Sequence, residues 1–196
     1  MILEINDIGR LGLADLFRQL DYKIGAEIGV AGGWYSSKIM ERNPQLTLYG
    51  VDPWVPYRGY TDYTRTSTFT RLEDSAHDLL DKYPNYRFIK EFSMDALARF
   101  GDNSLDFVYI DANHGDPYVT QDITEWFKKV KPGGILAGHD YTRSKGKEGL
   151  PHPKNDTIDA TNKFTKDNNL ILFILGTKAI REGEIRDKVR SWLIKK

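Results

Sequence analysis

The stretch that leaves this chain the fewest options is Gly25-Ala26-Glu27-Ile28-Gly29-Val30-Ala31-Gly32-Gly33-Trp34-Tyr35-Ser36. Lys23 to Ile28 reads as a short buried strand, and from Trp34 the spacing turns helical, with Trp34, Ile39 and Met40 as packing residues. Between them the backbone must turn sharply, and Gly29, Gly32 and Gly33 offer conformations that a side chain would block. A helix that begins there aims its free N–H groups at the strand ends, where a ligand carrying negative charge can sit. Glu27 narrows the ligand further. A carboxylate so close to the turn repels a pyrophosphate and suits a cationic or hydrogen-bond-donating group. The dinucleotide fingerprint needs glycine at position 31 and meets Ala31. The pattern is Glu-x-Gly-x-x-x-Gly over Glu27, Gly29 and Gly33, and the plainer alternative is a strand-to-helix turn with no ligand.

With 196 residues the chain is expected to form one domain, residues 1–196, with room for a substantial core. Basic and acidic residues balance at 28 each, so no electrostatic footprint for nucleic acid or a membrane surface is present. No cysteine occurs, which removes disulfides, thiolate catalysis and cysteine-based zinc sites. Met1 to Asp7 does not read as a secretory signal and no stretch has the ~20 apolar residues of a membrane span, so a cytoplasmic location is expected.

Leu13, Leu16, Phe17 and Leu20 fall at helical spacing, so an N-terminal helix within about residues 1–22 is expected against the sheet edge. Leu46 to Val51 reads as the second strand, ending at Asp52. An acid at that strand tip can accept hydrogen bonds from both hydroxyls of a ribose; a solvated turn aspartate before Pro53 is the alternative. From Trp54 to Phe69, five aromatic residues (Trp54, Tyr57, Tyr60, Tyr63, Phe69) follow no period. They suit a loop walling a ligand site, or equally a packed loop or a subunit interface, and exposed aromatics there allow a homodimer. A helix through Phe69, Leu72, Ala76 and Leu80 follows, with His77 on its solvated side.

Tyr86 to Lys90 is a weak third strand, and Ser93 then suits the N-cap of another helix. Ser93 and Met94 could equally border a nucleobase. The fourth strand, Leu105 to Ile110, ends at Asp111-Ala112-Asn113-His114, and a helix with Tyr118, Val119, Asp122, Ile123, Trp126 and Phe127 on one face follows it. The fifth strand, Ile135 to Gly138, ends at His139-Asp140-Tyr141. Two neighbouring strands thus carry polar pairs at their carboxyl ends, where open α/β sheets bind ligands. Residues 141–155, rich in Gly, Lys and Pro, read as a mobile loop. A helix from Thr157, a strand over Leu170 to Leu175, a polar hairpin and a last strand over Val189 to Ile194 complete the chain.

Glu27-x-Gly29-x-x-x-Gly33, Gly50-Val51-Asp52-Pro53-Trp54, Ile110-Asp111-Ala112-Asn113-His114, and Lys131-Pro132-Gly133-Gly134 with Gly138-His139-Asp140-Tyr141 together resemble the class I S-adenosylmethionine-dependent methyltransferases. The likeness is greatest to their catechol-O-methyltransferase-like branch, methyltransferase family 24, and covers roughly residues 20–195. It implies a Rossmann-like, doubly wound sheet of seven strands, the last antiparallel, with helices on both faces. It also implies S-adenosyl-L-methionine held by Glu27, Gly29, Gly33, Asp52, Trp54, Ser93, Met94 and Asp111, the two acids facing its sulfonium and ammonium.

Methyl transfer needs aligned atoms and, for a hydroxyl acceptor, a base. His114 can accept a proton near neutral pH, beside Asp111 and His139 as further catalytic groups. The related enzymes have lysine where His114 stands, so histidine is a substitution of the base. The same comparison puts Asp111, His139 and Asp140 where that branch holds a divalent ion, magnesium or manganese; the alternative is that His139 braces Asp140. The expected function is methyl transfer to a hydroxyl of a small molecule or sugar. N-methyl transfer, a nicotinamide-dependent oxidoreductase and a cofactor-binding module without activity are the alternatives. The acceptor is expected to be read by the aromatic loop and by residues 141–155.

Overall fold

The computed structural model describes residues 1–6, 8–60, 63–144, 155–176 and 189–196. Most of the expected mobile loop, including His152, and the polar hairpin lie outside them. Eight strands form one sheet: β1 (Ile2–Ile5), β2 (Ile24–Ile28), β3 (Thr47–Val51), β4 (Tyr86–Ile89), β5 (Leu105–Ile110), β6 (Val130–Gly138), β7 (Leu172–Leu175) and β8 (Ser191–Lys195). Their order is β1-β7-β8-β6-β5-β2-β3-β4. All pairings are parallel except those of β8, which runs antiparallel to both β6 and β7.

Among the described residues six α-helices pack on the two faces: α1 (Arg10–Gln19), α2 (Trp34–Arg42), α3 (Thr66–Leu80), α4 (Ser93–Ala96), α5 (Tyr118–Lys129) and α6 (Thr157–Asp167). One core gathers Leu13, Phe17, Ile39, Met40, Leu48, Leu80 and Phe107; the other gathers Ala26, Ile28, Val108, Ile123, Trp126 and Trp192. Ala26 and Phe107 belong to paired central strands and face opposite ways, as a period of two requires. Covering both faces buries the central strand β5 almost throughout, which is why it reads Leu-Asp-Phe-Val-Tyr-Ile with little polar alternation.

Two expectations about the N-terminal region need correction. Residues 2–5 form an edge strand on β7 instead of the start of a helix, raising the count among the described residues from seven strands to eight. Helix α1 lies over the sheet face, not its edge: Phe17 stacks on Phe107 of the central strand β5, ring centres 3.8 Å apart, while Leu20 stays exposed. Aromatic stacking on a fully buried ring outweighs the gain of covering an edge.

The chain moves outward from β2 to β3 and β4, then returns to β5 and β6 on the other side. The crossover between β2 and β5 is where such sheets open a crevice. Ile28, Val51, Ile110 and Gly138 sit in register across these strands, so Asp52, Asp111 and His139 emerge side by side at the carboxyl edge.

Candidate active site

The turn after β2 is built on left-handed residues. Gly29 has φ +89° and Gly33, the N-cap of α2, φ +79°, whereas Ala31 accepts φ +47° with a side chain. At Gly29 a side-chain carbon would also collide with the carbonyl of Asp111, so here β2 and β5 meet backbone to backbone. Asp52 holds this turn closed. One carboxylate oxygen accepts the N–H groups of Val30 and Ala31 at 3.0 and 2.9 Å, and the other accepts that of Trp54 at 2.8 Å. The Trp54 indole N–H returns to the carbonyl of Ala31 at 2.9 Å.

These residues border a cavity of about 270 Å³ lined by Gly29, Asp52, Trp54, Ser93, Met94 and Asp111, six of the eight positions expected to meet a cofactor. Glu27 and Gly33 lie outside the lining. Glu27 is 2 % exposed and is hydrogen-bonded by the hydroxyl of Ser36, which also contacts the Tyr86 hydroxyl at 3.0 Å. Burial pushes the Glu27 carboxyl up to about 8, with Asp111 adding to the rise and Ser36 and Arg10 opposing it.

The aromatic segment after Asp52 closes this cavity. Tyr57, Tyr60, Tyr63 and Phe69 line it together with Phe92 and Tyr118. Tyr57 meets Phe92 and Tyr118 edge-on at 5.4 and 6.0 Å, and the segment is fastened by Asn113 and Tyr118, whose side chains donate to the carbonyls of Gly59 and Arg58 at 3.1 Å each. The Asn113 amide also donates to the Tyr57 hydroxyl at 3.4 Å, so the aromatic segment reaches the residues beyond β5.

Ser93 is not the cap of α4. Phe92 occupies that position, and Ser93 is the first helical residue. Its hydroxyl donates to Asp122 of α5 and accepts the indole N–H of Trp126 at 2.8 Å. The hydroxyl's proton goes to the buried Asp122 carboxyl, and its oxygen takes an indole N–H in place of the backbone N–H that a cap would accept. Asp122 lines the cavity, is 4 % exposed, and burial pushes its carboxyl up to about 7 against the Ser93 hydrogen bond. Its place on the packing face of α5, between Tyr118 and Trp126, was visible in the spacing, but an acid on an apolar face was not read as a site residue.

Beside the cavity the ends of β5 and β6 bring together all four expected groups. His114 Nε2 lies 2.8 Å from Asp140 Oδ2 and 3.7 Å from Asp111 Oδ1. His139 Nδ1 lies 3.6 Å from Asp140 and 3.9 Å from Asp111. Burial would raise the Asp140 carboxyl, but the two imidazoles outweigh it and hold the group well below the usual carboxylate range. Asp111 moves the other way: its burial prevails over His139 and His114. Arg10, at the start of α1, adds a cation 3.6 Å from Asp111 and lies over the rings of Trp34 and Tyr35. No sequence signal marked Arg10, because its partners come from two distant segments. His77, expected on the solvated side of its helix, is half-exposed, pairs with Asp81 at 2.9 Å and stacks on Phe88.

Asp111, His139 and Asp140 offer ligand atoms within 4.8 Å of one another, a spacing that one cation can bridge. No helix among the described residues is long and apolar enough to cross a membrane.

The fold is similar to solved methyltransferase structures. A Staphylococcus aureus protein provisionally assigned as a caffeoyl-CoA O-methyltransferase superposes with a TM-score of 0.65 at 16% identity, covering 98% of this chain and 85% of its own. The O-methyltransferase TomG from Streptomyces achromogenes, solved with SAM, gives 0.63 at 16% identity over 95% and 78%. An O-methyltransferase from Bacillus cereus, solved with SAH, gives 0.58 at 14% identity over 97% and 83%. A search of curated protein sequences finds no match. Residues 26–141, more than half of the chain and the part that builds the glycine turn, the cavity and both strand-end pairs, match the Methyltransf_24 model, a methyltransferase domain, and the protein therefore belongs to that methyltransferase family.

Proposed function

We propose that the protein transfers a methyl group from S-adenosylmethionine to a hydroxyl of a small acceptor such as a phenol, polyol or sugar. The observation that supports this most is the contact of His114 with Asp140 at 2.8 Å, beside Asp111 and next to a cavity of nucleoside size. Similar folds from S. achromogenes and B. cereus were solved with SAM and SAH.

The residues present suit that cofactor. Asp52 has used three acceptor sites on the turn and, with about four per carboxylate, keeps capacity for a ribose hydroxyl. Asp111 lines the cavity, and Glu27 lies in electrostatic range of it, so both complement a sulfonium and an ammonium. The cofactor, when bound, supplies a methyl on a positively charged sulfur that departs as a neutral thioether.

His114 is the base in this reading. Its ring is held against Asp140, which keeps one tautomer and offsets the charge gained on taking the acceptor's proton. The aromatic segment excludes water from the cavity, and the register of β2, β3 and β5 sets the alignment. Asp111, His139 and Asp140 would hold a divalent ion, magnesium or manganese, which would lower the acceptor hydroxyl's pKa. Asp140 would then be shared with His114.

The test is to incubate the protein with methyl-labelled cofactor and a panel of phenols, catechols, polyols, sugars and amines, with and without a chelator. Label on oxygen is the expected outcome. Label on nitrogen alone overturns the O-methyl assignment, cofactor binding without transfer to any acceptor makes the chain a binding module, and a rate indifferent to chelator removes the metal.

A further inference from the structure

The connection between β5 and α5, residues 111–117, contains neither helix nor strand, yet it carries His114. A base in such a segment keeps its place only if other contacts hold it, because a misplacement of about 1 Å costs on the order of 10²-fold in rate. Two of those contacts come from the start of α6. The His114 carbonyl accepts the Asp156 N–H at 2.8 Å, and Asp156 Oδ2 accepts the Asp116 N–H at 2.9 Å. They fix the base relative to α6, not relative to a molecule in the cavity. The contacts that do so come from the neighbouring residue, Asn113.

Asn113 lines the cavity and is 8 % exposed. Its side chain works in two directions. Towards its own loop, Oδ1 accepts the Gly115 N–H at 3.0 Å and closes a turn around His114. Towards the aromatic segment, Nδ2 donates to the Gly59 carbonyl at 3.1 Å and to the Tyr57 hydroxyl at 3.4 Å. Both ends of the amide are thus engaged, and the reverse orientation would set its oxygen against the Gly59 carbonyl. The wall it reaches is itself held firmly. Tyr57 stacks on Tyr60 with ring centres 5.2 Å apart, and the Tyr118 hydroxyl donates to the Arg58 carbonyl at 3.1 Å. A side-chain carbon at Gly59, where φ is +93°, would lie 2.8 Å from that hydroxyl, so the segment and α5 already touch there.

We propose that Asn113 is a positioning residue for His114: it ties the turn that carries the base to the wall of the cofactor cavity, so that base and methyl donor are held in one frame. The inference rests on the reading of His114 as the base and of the cavity as the cofactor's. An amide suits the position because it must donate to the segment and accept from the turn at once. Serine, with a shorter arm, serves the turn alone.

Transfer by the full-length protein, from methyl-labelled S-adenosylmethionine to whichever hydroxyl compound of the panel accepts it, is measured at saturating cofactor for two variants. Asn113→Ala loses turn and bridge and should lower turnover by about 10–100-fold. Asn113→Ser keeps the turn only and should lose as much, within about threefold. A serine variant with wild-type turnover shows that the turn suffices and overturns the proposal. Because the effect passes through the base, Asn113→Ser in a His114→Ala background should change the remaining rate by less than about twofold; an undiminished loss there overturns it too. Calorimetric titration with S-adenosylhomocysteine should find the affinity of the serine variant within about tenfold of wild type, and a larger loss makes Asn113 a cofactor contact instead. Crystals of the wild-type and serine proteins grown with S-adenosylhomocysteine read the geometry without turnover. The His114 ring should shift by about 1 Å or more relative to the cofactor sulfur, and an unmoved ring overturns the proposal. If the wild-type protein methylates nothing in the panel, the reading of His114 as base falls, while the crystals still judge the tie that Asn113 makes. Should neither variant fold, Tyr57→Phe, which removes one acceptor of the bridge and keeps the ring, should lower turnover about threefold, and no loss overturns the proposal.

Discussion

Buried acids occur in two parts of this cleft and are treated in opposite ways. Asp122, in the cavity wall, and Glu27, behind it, each meet a single serine hydroxyl, from Ser93 and Ser36, and burial drives the carboxyls up, to about 7 and about 8. At the ends of β5 and β6, Asp140 is also largely enclosed but meets two imidazoles, and it stays far below the usual range. One neutral hydroxyl does not repay the desolvation of a carboxylate; two ionisable rings do. Near neutral pH Glu27 and Asp122 are therefore carboxyls that an arriving cation would favour in their ionised form, whereas the strand ends hold an anion that can steady a protonated base.

Removing the base should give the largest effect. His114→Ala is expected to lower turnover by about 10²–10⁴ while binding of S-adenosylhomocysteine stays within a few-fold; an unchanged rate would remove His114 from the mechanism. Next comes the pH dependence of stability in the ligand-free protein. Glu27 has a folded pKa above its ordinary 4.5, so its contribution is fully present below about pH 4.5 and is lost as pH rises through about 8. Glu27→Gln should remove that loss and make the variant more stable than the wild type above pH ~8, by several kcal/mol at most. Urea denaturation at a series of pH values measures this, and parallel stability profiles for the two proteins would break the comparison.

Asp140 carries the opposite sign. Its folded pKa is depressed, so its contribution is present above the ordinary carboxylate value of about 3.9 and lost only in stronger acid. Asp140→Asn should slow turnover by about 10–100-fold, less than loss of the base itself, and shift the acid limb of the pH–rate profile. A profile that does not move would show that His114 needs no anion. The smallest effect belongs to Ser36→Ala, which deletes the hydroxyl that Glu27 accepts and should cost about 1–2 kcal/mol, read as a lower denaturation midpoint at constant slope. A midpoint unchanged at pH ~9 would mean that the hydroxyl does nothing to hold the anionic form.

Much of this cleft was legible before any coordinates. The glycines of the first turn, the acid ending β3 and the polar pairs ending β5 and β6 follow from residue type at strand tips, which is local information. The unread parts depend on contacts between distant segments. β1 is four residues long and half-exposed, and its partner strand, β7, is some 170 residues away, so nothing in Ile2-Leu3-Glu4-Ile5 distinguishes an edge strand from the lead-in to a helix. Asp122 falls on a helix face with Val119, Ile123 and Trp126, where periodicity assigns it to packing. Only the approach of Ser93 from α4 shows it to be part of the cavity wall. Asp52 was read correctly in place and incompletely in role, because its hold on the glycine turn depends on how that turn folds back over β3.

The collision that any side-chain carbon at Gly29 would have with the Asp111 carbonyl has a consequence for how such a protein can change. At that point the end of β2 and the end of β5 are separated by nothing but main chain. A residue of ordinary size at position 29 would drive the two strand ends apart and move Asp111 away from the glycine turn.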